Sequence, residues 1–342
     1  MRPARILSIV LLALSLPLFS TRAVAQLPSQ PPGMVPTDDT SAGDLEDNTA
    51  TRQLKRQIAD LLARGDYAEI DSIADKIRLD KTRLVGGGWL ITRVYQALEA
   101  PAGMTPEAHF AQLNAWIAAR PQSITPRVAL ARAYIRYAGT ARGSSDADSQ
   151  NSVYAQRIEL AKKTLDDSAN LTPMCPDWFF QMQTIARAQG WDKRRAATLF
   201  KQAIQFEPDY LYYYQAYARY LLPKWDGKNG DDVAFSKQIA DAVGGPKGDF
   251  IYYQIGILVL GICNCTVEQN PLDWARLQRG YQVQGEMFKN TNYDTNQLAL
   301  LAWRFHDRAV ARQAFEEIGD KWSKNVWKGR RIFERARAWA DA

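Results

Sequence analysis

The chain has 342 residues, of which 46% are hydrophobic, 23% charged and 11% aromatic. That supplies a sizeable core and excludes a disordered, collagen-like or disulfide-dense small protein. Two histidines and three cysteines are too few for the usual zinc cluster or haem site, so composition implies no metal and no cofactor. The formal charge is +6 overall, and from residue 51 onward 40 basic side chains stand against 32 acidic ones, a moderately basic body.

At the N-terminus, Arg2 and Arg5 precede the apolar run Ile6 to Phe19, and Ala23-Val24-Ala25 precedes Gln26. The pattern predicts a secretory signal peptide over 1–25, cleaved after Ala25. A membrane anchor needs about 20 apolar residues, whereas this run has 14 with Pro17 inside it. No cysteine follows the cleavage site to carry a lipid, and no Arg-Arg pair marks a folded-export route. The expectation is a periplasmic or secreted protein with no transmembrane segment after processing, which argues against nucleic acid as a partner. Residues 26–50 bring four prolines, five acids and no bases. Such a stretch buries too little surface to offset its ordering entropy and reads as a disordered leader.

From Thr51 apolar residues recur at helical spacing: Leu54, Ile58, Leu61 and Leu62, then, after Gly65-Asp66, Tyr67, Ile70, Ile73, Ala74 and Ile77. These are two amphipathic helices joined by a tight turn. Thr105-Pro106, Thr125-Pro126 and Asn270-Pro271 repeat a helix-start signature, with Asp192, Asp294 and Asp307 as further caps. No alternating stretch argues for a strand, and the fold class is all-α.

Three second helices share a triad: Ala196, Phe200 and Ala203; Ala311, Phe315 and Ile318; and, more loosely, Ile70, Ala74 and Ile77. In a tetratricopeptide-like hairpin a small residue lets the first helix approach, and an aromatic fills the gap to the next repeat. The segment Gln189-Gly190-Trp191-Asp192, then Ala203 and Glu207-Pro208, fits best. First helices start near residues 177, 209, 249 and 294, which excludes a strict 34-residue array. The reading is an irregular stack of about seven antiparallel hairpins over 51–342, an α-solenoid, with a capping helix at 323–340. A closed α/α toroid is the alternative.

Several elements also resemble an exported bacterial family known only as a domain of unknown function. They are Gly87-Gly88-Trp89 with Tyr95, Tyr137-Ala138-x-x-Ala141-Arg142-Gly143, Cys175-Pro176-x-Trp178, Gln189-Gly190-Trp191-Asp192 and Tyr220-Leu221-Leu222-Pro223-Lys224-Trp225-Asp226-Gly227. Asp226 stands where the family pattern expects glycine. The resemblance implies a helical, repeat-like fold and an exported protein, and it supplies no activity or catalytic residue.

The densest chemical feature is the tyrosine cluster around residues 210–220. Tyr210, Tyr214, Tyr217 and Leu221 have core spacing. Tyr212, Tyr213 and Tyr220, with Tyr252 and Tyr253 on the next first helix, are the candidates for a concave ligand groove; a purely aromatic core is the alternative. Pro223 stops a helix, and Trp225 is expected to be buried as a lock for the following loop. Cys175, Cys263 and Cys265 have an odd count, so one stays unpaired in an oxidising compartment. His306-Asp307 is explained by a helix cap better than by a catalytic dyad. Gly86-Gly87-Gly88 lacks the Lys-Ser/Thr ending of a phosphate loop, and Arg64-Gly65-Asp66 is an interhelix turn.

The last helix sets Trp322, Val326, Trp327, Ile332, Phe333 and Trp339 beside seven lysines and arginines. This fits a solenoid end-cap whose basic face contacts an anionic envelope surface. The expected function is therefore a non-enzymatic scaffold binding a peptide or partner protein along a concave face. One rival is a carbohydrate-active toroid enzyme, with carboxylates drawn from Asp177, Asp209, Asp249 and Asp294. The other is an assembly component without a pocket.

Overall fold

The computed structural model describes residues 49–141, 147–263 and 266–342. The signal peptide, the leader up to residue 48, Arg142-Gly143 and Cys265 lie outside the described residues. Within them the chain forms sixteen α-helices and one 3-10 turn, and its only β feature is an isolated bridge between Arg83 and Trp89.

Fourteen helices fall into seven consecutive pairs: α1 (Thr49–Arg64) and α2 (Tyr67–Asp80), α3 (Ile91–Ala97) and α4 (Pro106–Ala119), α5 (Thr125–Ala141) and α6 (Ala147–Asp166), α7 (Pro176–Ala188) and α8 (Lys193–Phe206), α9 (Tyr212–Tyr220) and α10 (Asp231–Val243), α11 (Gly245–Cys263) and α12 (Trp274–Phe288), α13 (Asn292–Arg304) and α14 (Arg308–Ile318). The short α15 (Lys324–Trp327) and α16 (Arg330–Asp341) follow. First helices also pack on first helices, α1 on α3, α5 on α7, α7 on α9 and α9 on α11. That is the stacking of an all-α helical-repeat solenoid.

Local chemistry sets many of the boundaries. Thr105, Asp192 and Asp307 accept the backbone N–H three residues on and cap α4, α8 and α14, each satisfying an amide the helix cannot. The triads do the packing. Ala196 and Ala203 are buried, and Phe200 stacks on Tyr217 at 4.8 Å while meeting Tyr214 and Phe235 edge-on at 5.6 and 5.4 Å. One ring thus fills the gap between the fourth pair and the fifth.

Three expected boundaries differ. Asn270-Pro271 starts no helix; Asp273 caps α12, and Asn270 instead donates to Asp232 at 2.7 Å. Asp294 is not a cap but the third residue of a capping box begun by Thr291. The helix expected at 323–340 breaks in two at Lys328, which adopts a left-handed φ of 59°, and Gly329. The break turns Trp327 inward, where it is 1% exposed and its indole N–H donates to Asn296 at 2.8 Å.

The largest departure from a plain stack is the segment between α2 and α3. Hydrogen bonds from Leu84 N–H to Gly88 C=O (2.7 Å) and from Leu90 N–H to Thr82 C=O (2.9 Å) fold it into a strap. Trp89 at its end is 1% exposed, edge-on to Tyr210 at 5.0 Å, and its indole N–H donates to the Asp209 carbonyl at 3.2 Å. Farther along, Gly86 N–H donates to Lys289 C=O at 3.1 Å. Its φ is +79°, and an added Cβ would meet the Asp294 carboxylate at 3.1 Å and the Thr291 methyl at 3.3 Å, so glycine is required there twice over. The strap ties the second pair to the starts of α9 and α13.

Candidate functional site

Tyr212, Tyr213, Tyr220, Tyr252 and Tyr253 line no open groove. All five are buried, at 0 to 3% exposure, and most of their hydroxyls are spent inside the fold. Tyr213 donates to Pro176 C=O at 2.8 Å, Tyr220 to Trp191 C=O at 2.6 Å, Tyr252 accepts from Asp273 N–H at 2.8 Å, and Tyr212 accepts from Trp89 N–H at 3.4 Å. The expectation of a groove along this face is corrected by the chain's own strap: α9 is covered by α7, α8 and α11 and by Trp89. Burial pushes the tyrosine hydroxyls up, Tyr213 and Tyr253 far above the ordinary range and Tyr217 to about 12, so they stay neutral; the Tyr253 hydroxyl is buried without a hydrogen-bond partner among the described residues.

The aspartates are equally engaged. Asp177 is 1% exposed, accepts from the Tyr210 hydroxyl at 3.0 Å and pairs with Arg132 at 3.0 Å. Asp209 pairs with Lys247 at 2.8 Å; burial raises its carboxyl, opposed by that lysine. Asp249 holds Arg276 and Arg279 at 2.8 and 2.9 Å. Asp294 accepts from Thr291 N–H and hydroxyl. Asp307 uses its oxygens on Val310 N–H, Trp274 and Gln278. Burial pushes the Asp307 carboxyl up, and those bonds outweigh it to leave it below the usual range.

Cys175 is a free, fully buried thiol 3.2 Å from the Tyr95 hydroxyl, and burial raises its pKa. Cys263 is disulfide-bonded. Among the described residues no three His, Cys, Asp or Glu side chains gather as a metal site.

Two of the recurring sequence elements meet at the surface, at the C-terminal ends of α7 and α9. The Tyr220 bond to Trp191 C=O joins Gln189-Gly190-Trp191-Asp192 to the Leu-Leu-Pro-Lys-Trp element. Trp191 lies under the Arg195 guanidinium at 3.3 Å, and its indole N–H donates to Gln189 at 2.9 Å. Trp225 is half-buried rather than fully buried as expected, because its ring faces three cations: Arg187 at 4.7 Å, Arg219 at 5.4 Å and Lys224 at 5.5 Å. Pro223 beside it is exposed, and Pro208 is half-buried with its carbonyl accepting from Tyr214.

An open cleft of about 410 Å³ adjoins this rim between α7 and α8. Trp178, Met182, Trp191 and Leu199 give it apolar surface, and two acids and two bases line it: Asp166, paired with Lys162, and Asp192, spent as the cap of α8, beside Arg194 and Arg195. Trp178 is fixed by donating to Leu165 C=O at 2.9 Å. An apolar floor with a few charged groups at the margin is the usual build of a ligand site. A cation held on an indole face is attracted by the ring quadrupole and keeps its outward N–H groups for an anion. Sequence spacing gives the Trp191 and Trp225 elements no link, whereas the structure joins them through the Tyr220 hydroxyl; the arginine four residues after Trp191, one helical turn on, is the available signal for its cation. No family model, curated protein or solved structure matches the chain.

Proposed function

We propose that this protein is an exported, non-enzymatic helical-repeat scaffold that binds an acidic segment of a partner protein in the Trp178–Trp191 cleft and along its Trp225 rim. The observation that carries the reading is the cleft itself: an open, apolar floor of about 410 Å³ bordered by indoles that hold arginines. Aromatic and arginine side chains are the groups that most often dominate recognition surfaces. Export is supported by the N-terminal sequence, and no helix of the described residues is long and apolar enough to cross a membrane. The burial of Tyr212, Tyr213, Tyr220, Tyr252 and Tyr253 supports looking for the binding surface at the edge of the stack.

A photo-reactive amino acid at Thr198, exposed on the cleft wall, tests this in the native envelope fraction. The expected result is a discrete crosslinked partner carrying an acidic stretch, lost when Arg194 and Arg195 are changed to Glu. Absence of any crosslink, or one indifferent to that charge reversal, overturns the reading.

A further inference from the structure

We infer that the C-terminal end of the stack is a second, independent interaction surface, which seats the protein on an anionic phospholipid bilayer. The first observation is how charge is distributed. Residues 321–342 hold seven Lys and Arg against two acids, so most of the body's net charge of +8 sits in its last 22 residues. These cations are also displayed outward. α16 turns Phe333, Ala336 and Ala340 into the core, leaving Arg330, Arg331 and Arg335 exposed, and Lys321, Lys324 and Lys328 are exposed on the segments before it. Among the described residues, Arg330 alone of these cations pairs with an acid, Glu334 at 2.8 Å.

The second observation is the set of indoles at the border of this face. Trp303, Trp322 and Trp339 are half-buried, Arg335 lies over Trp303 at 5.7 Å and Arg308 over Trp339 at 5.2 Å, and Ile332 is 36% exposed. Half-buried indoles beside cations suit the headgroup boundary of a bilayer, where the ring meets the apolar side and the charge meets phosphate. The cations are spread over α16 and the turns around α15 instead of converging on one point. A spread array matches a surface carrying many phosphates better than a single bound anion.

Each cation near such a surface contributes about a fivefold factor in partitioning. The test is sedimentation of the chain from Gln26 onward, without the apolar run Ile6–Phe19, with phosphatidylcholine vesicles containing or lacking phosphatidylglycerol. The expected result is binding to the anionic vesicles alone, weakening as salt rises. Arg331→Gln with Arg335→Gln should lower the partition constant about 25-fold. Lys324→Gln with Lys328→Gln, which leaves α16 intact, should give a similar loss if the first pair fails to fold. Charge reversal at Arg194 and Arg195 should change nothing, so failure here and failure of the cleft remain separate. No binding to anionic vesicles, binding that both glutamine pairs leave unaltered, or retention by soluble polyglutamate or heparin but not by vesicles overturns the inference.

Discussion

Trp89→Ala is the sharpest test of the strap. Its indole is 1% exposed, packs on Tyr210 at 5.0 Å and carries the Arg83 guanidinium 3.2 Å above its face. Removing a buried Trp side chain costs about 3–5 kcal/mol. The Asp209 carbonyl that accepts the indole N–H is also left without its donor, at about 1 kcal/mol or more. Trp89→Phe separates the two effects: the ring still packs while the donor is gone, so its cost should be nearer 1–2 kcal/mol. Urea unfolding gives the magnitudes and amide exchange the location. Because the strap joins the second pair to α9 and α13, Trp89→Ala should lower protection at residues 209–214 and 289–295 as well as at 82–90. A loss under 1 kcal/mol, or exchange changes confined to 82–90, would refute the claim that this segment holds distant repeats together.

Three further outcomes follow from the same geometry. Tyr213→Ala should destabilise the fold by about 3–5 kcal/mol, since the ring is 0% exposed and its hydroxyl holds Pro176 C=O; a melting temperature within 2 °C of wild type (about 1 kcal/mol or less) would place it at the surface after all. Gly227→Ala should abolish soluble expression or cost well over 3 kcal/mol, because a Cβ there would lie 1.6 Å from Leu221 C=O, and a stable, native-like variant would show that this turn is built differently. Burial raises the Asp294 carboxyl, with the Thr291 bonds opposing. Its contribution is therefore complete below the usual carboxylate range and lost as pH rises through the raised value. The stability advantage of wild type over Asp294→Asn should then shrink between about pH 3 and pH 7, and urea titrations showing it constant or growing would contradict the assignment.

The parts of the fold that sequence made legible are those decided within one or two turns of chain. The stripes of α1 and α2, the caps at Thr105, Asp192 and Asp307, and the triad around Phe200 each need only neighbours three or four residues away. The helix break at Lys328-Gly329 was signalled by glycine but hidden by the apolar residues on either side. What stayed illegible depends on contacts across more than 100 residues. Nothing local says that Trp89 reaches Asp209 or that its backbone N–H meets the Tyr212 hydroxyl. Periodicity assigns one buried face to a helix, whereas α9, with nine residues, is surrounded by α7, α8, α10, α11 and the strap. Helical spacing therefore puts Tyr212 and Tyr213 on an outer face, whereas both are buried in this helix.

The same geometry explains why tyrosine, rather than phenylalanine or leucine, fills this interior. From α7 to α13 the first helices begin at residues 176, 212, 245 and 292, so the repeats are unequal and their connecting loops do not superimpose. Unequal loops bring backbone carbonyls into the interior where no helix satisfies them, and a buried carbonyl without a donor is costly. A phenol supplies a flat apolar ring for the gap and one donor at its far end. Tyr214 on Pro208 and Tyr220 on Trp191 donate to carbonyls in interhelix connections, and Tyr213 donates to Pro176 C=O at the first turn of α7. Irregular repeat length thus accounts for part of the tyrosine density: Tyr214 and Tyr220 pack their rings between helices while their hydroxyls close loops.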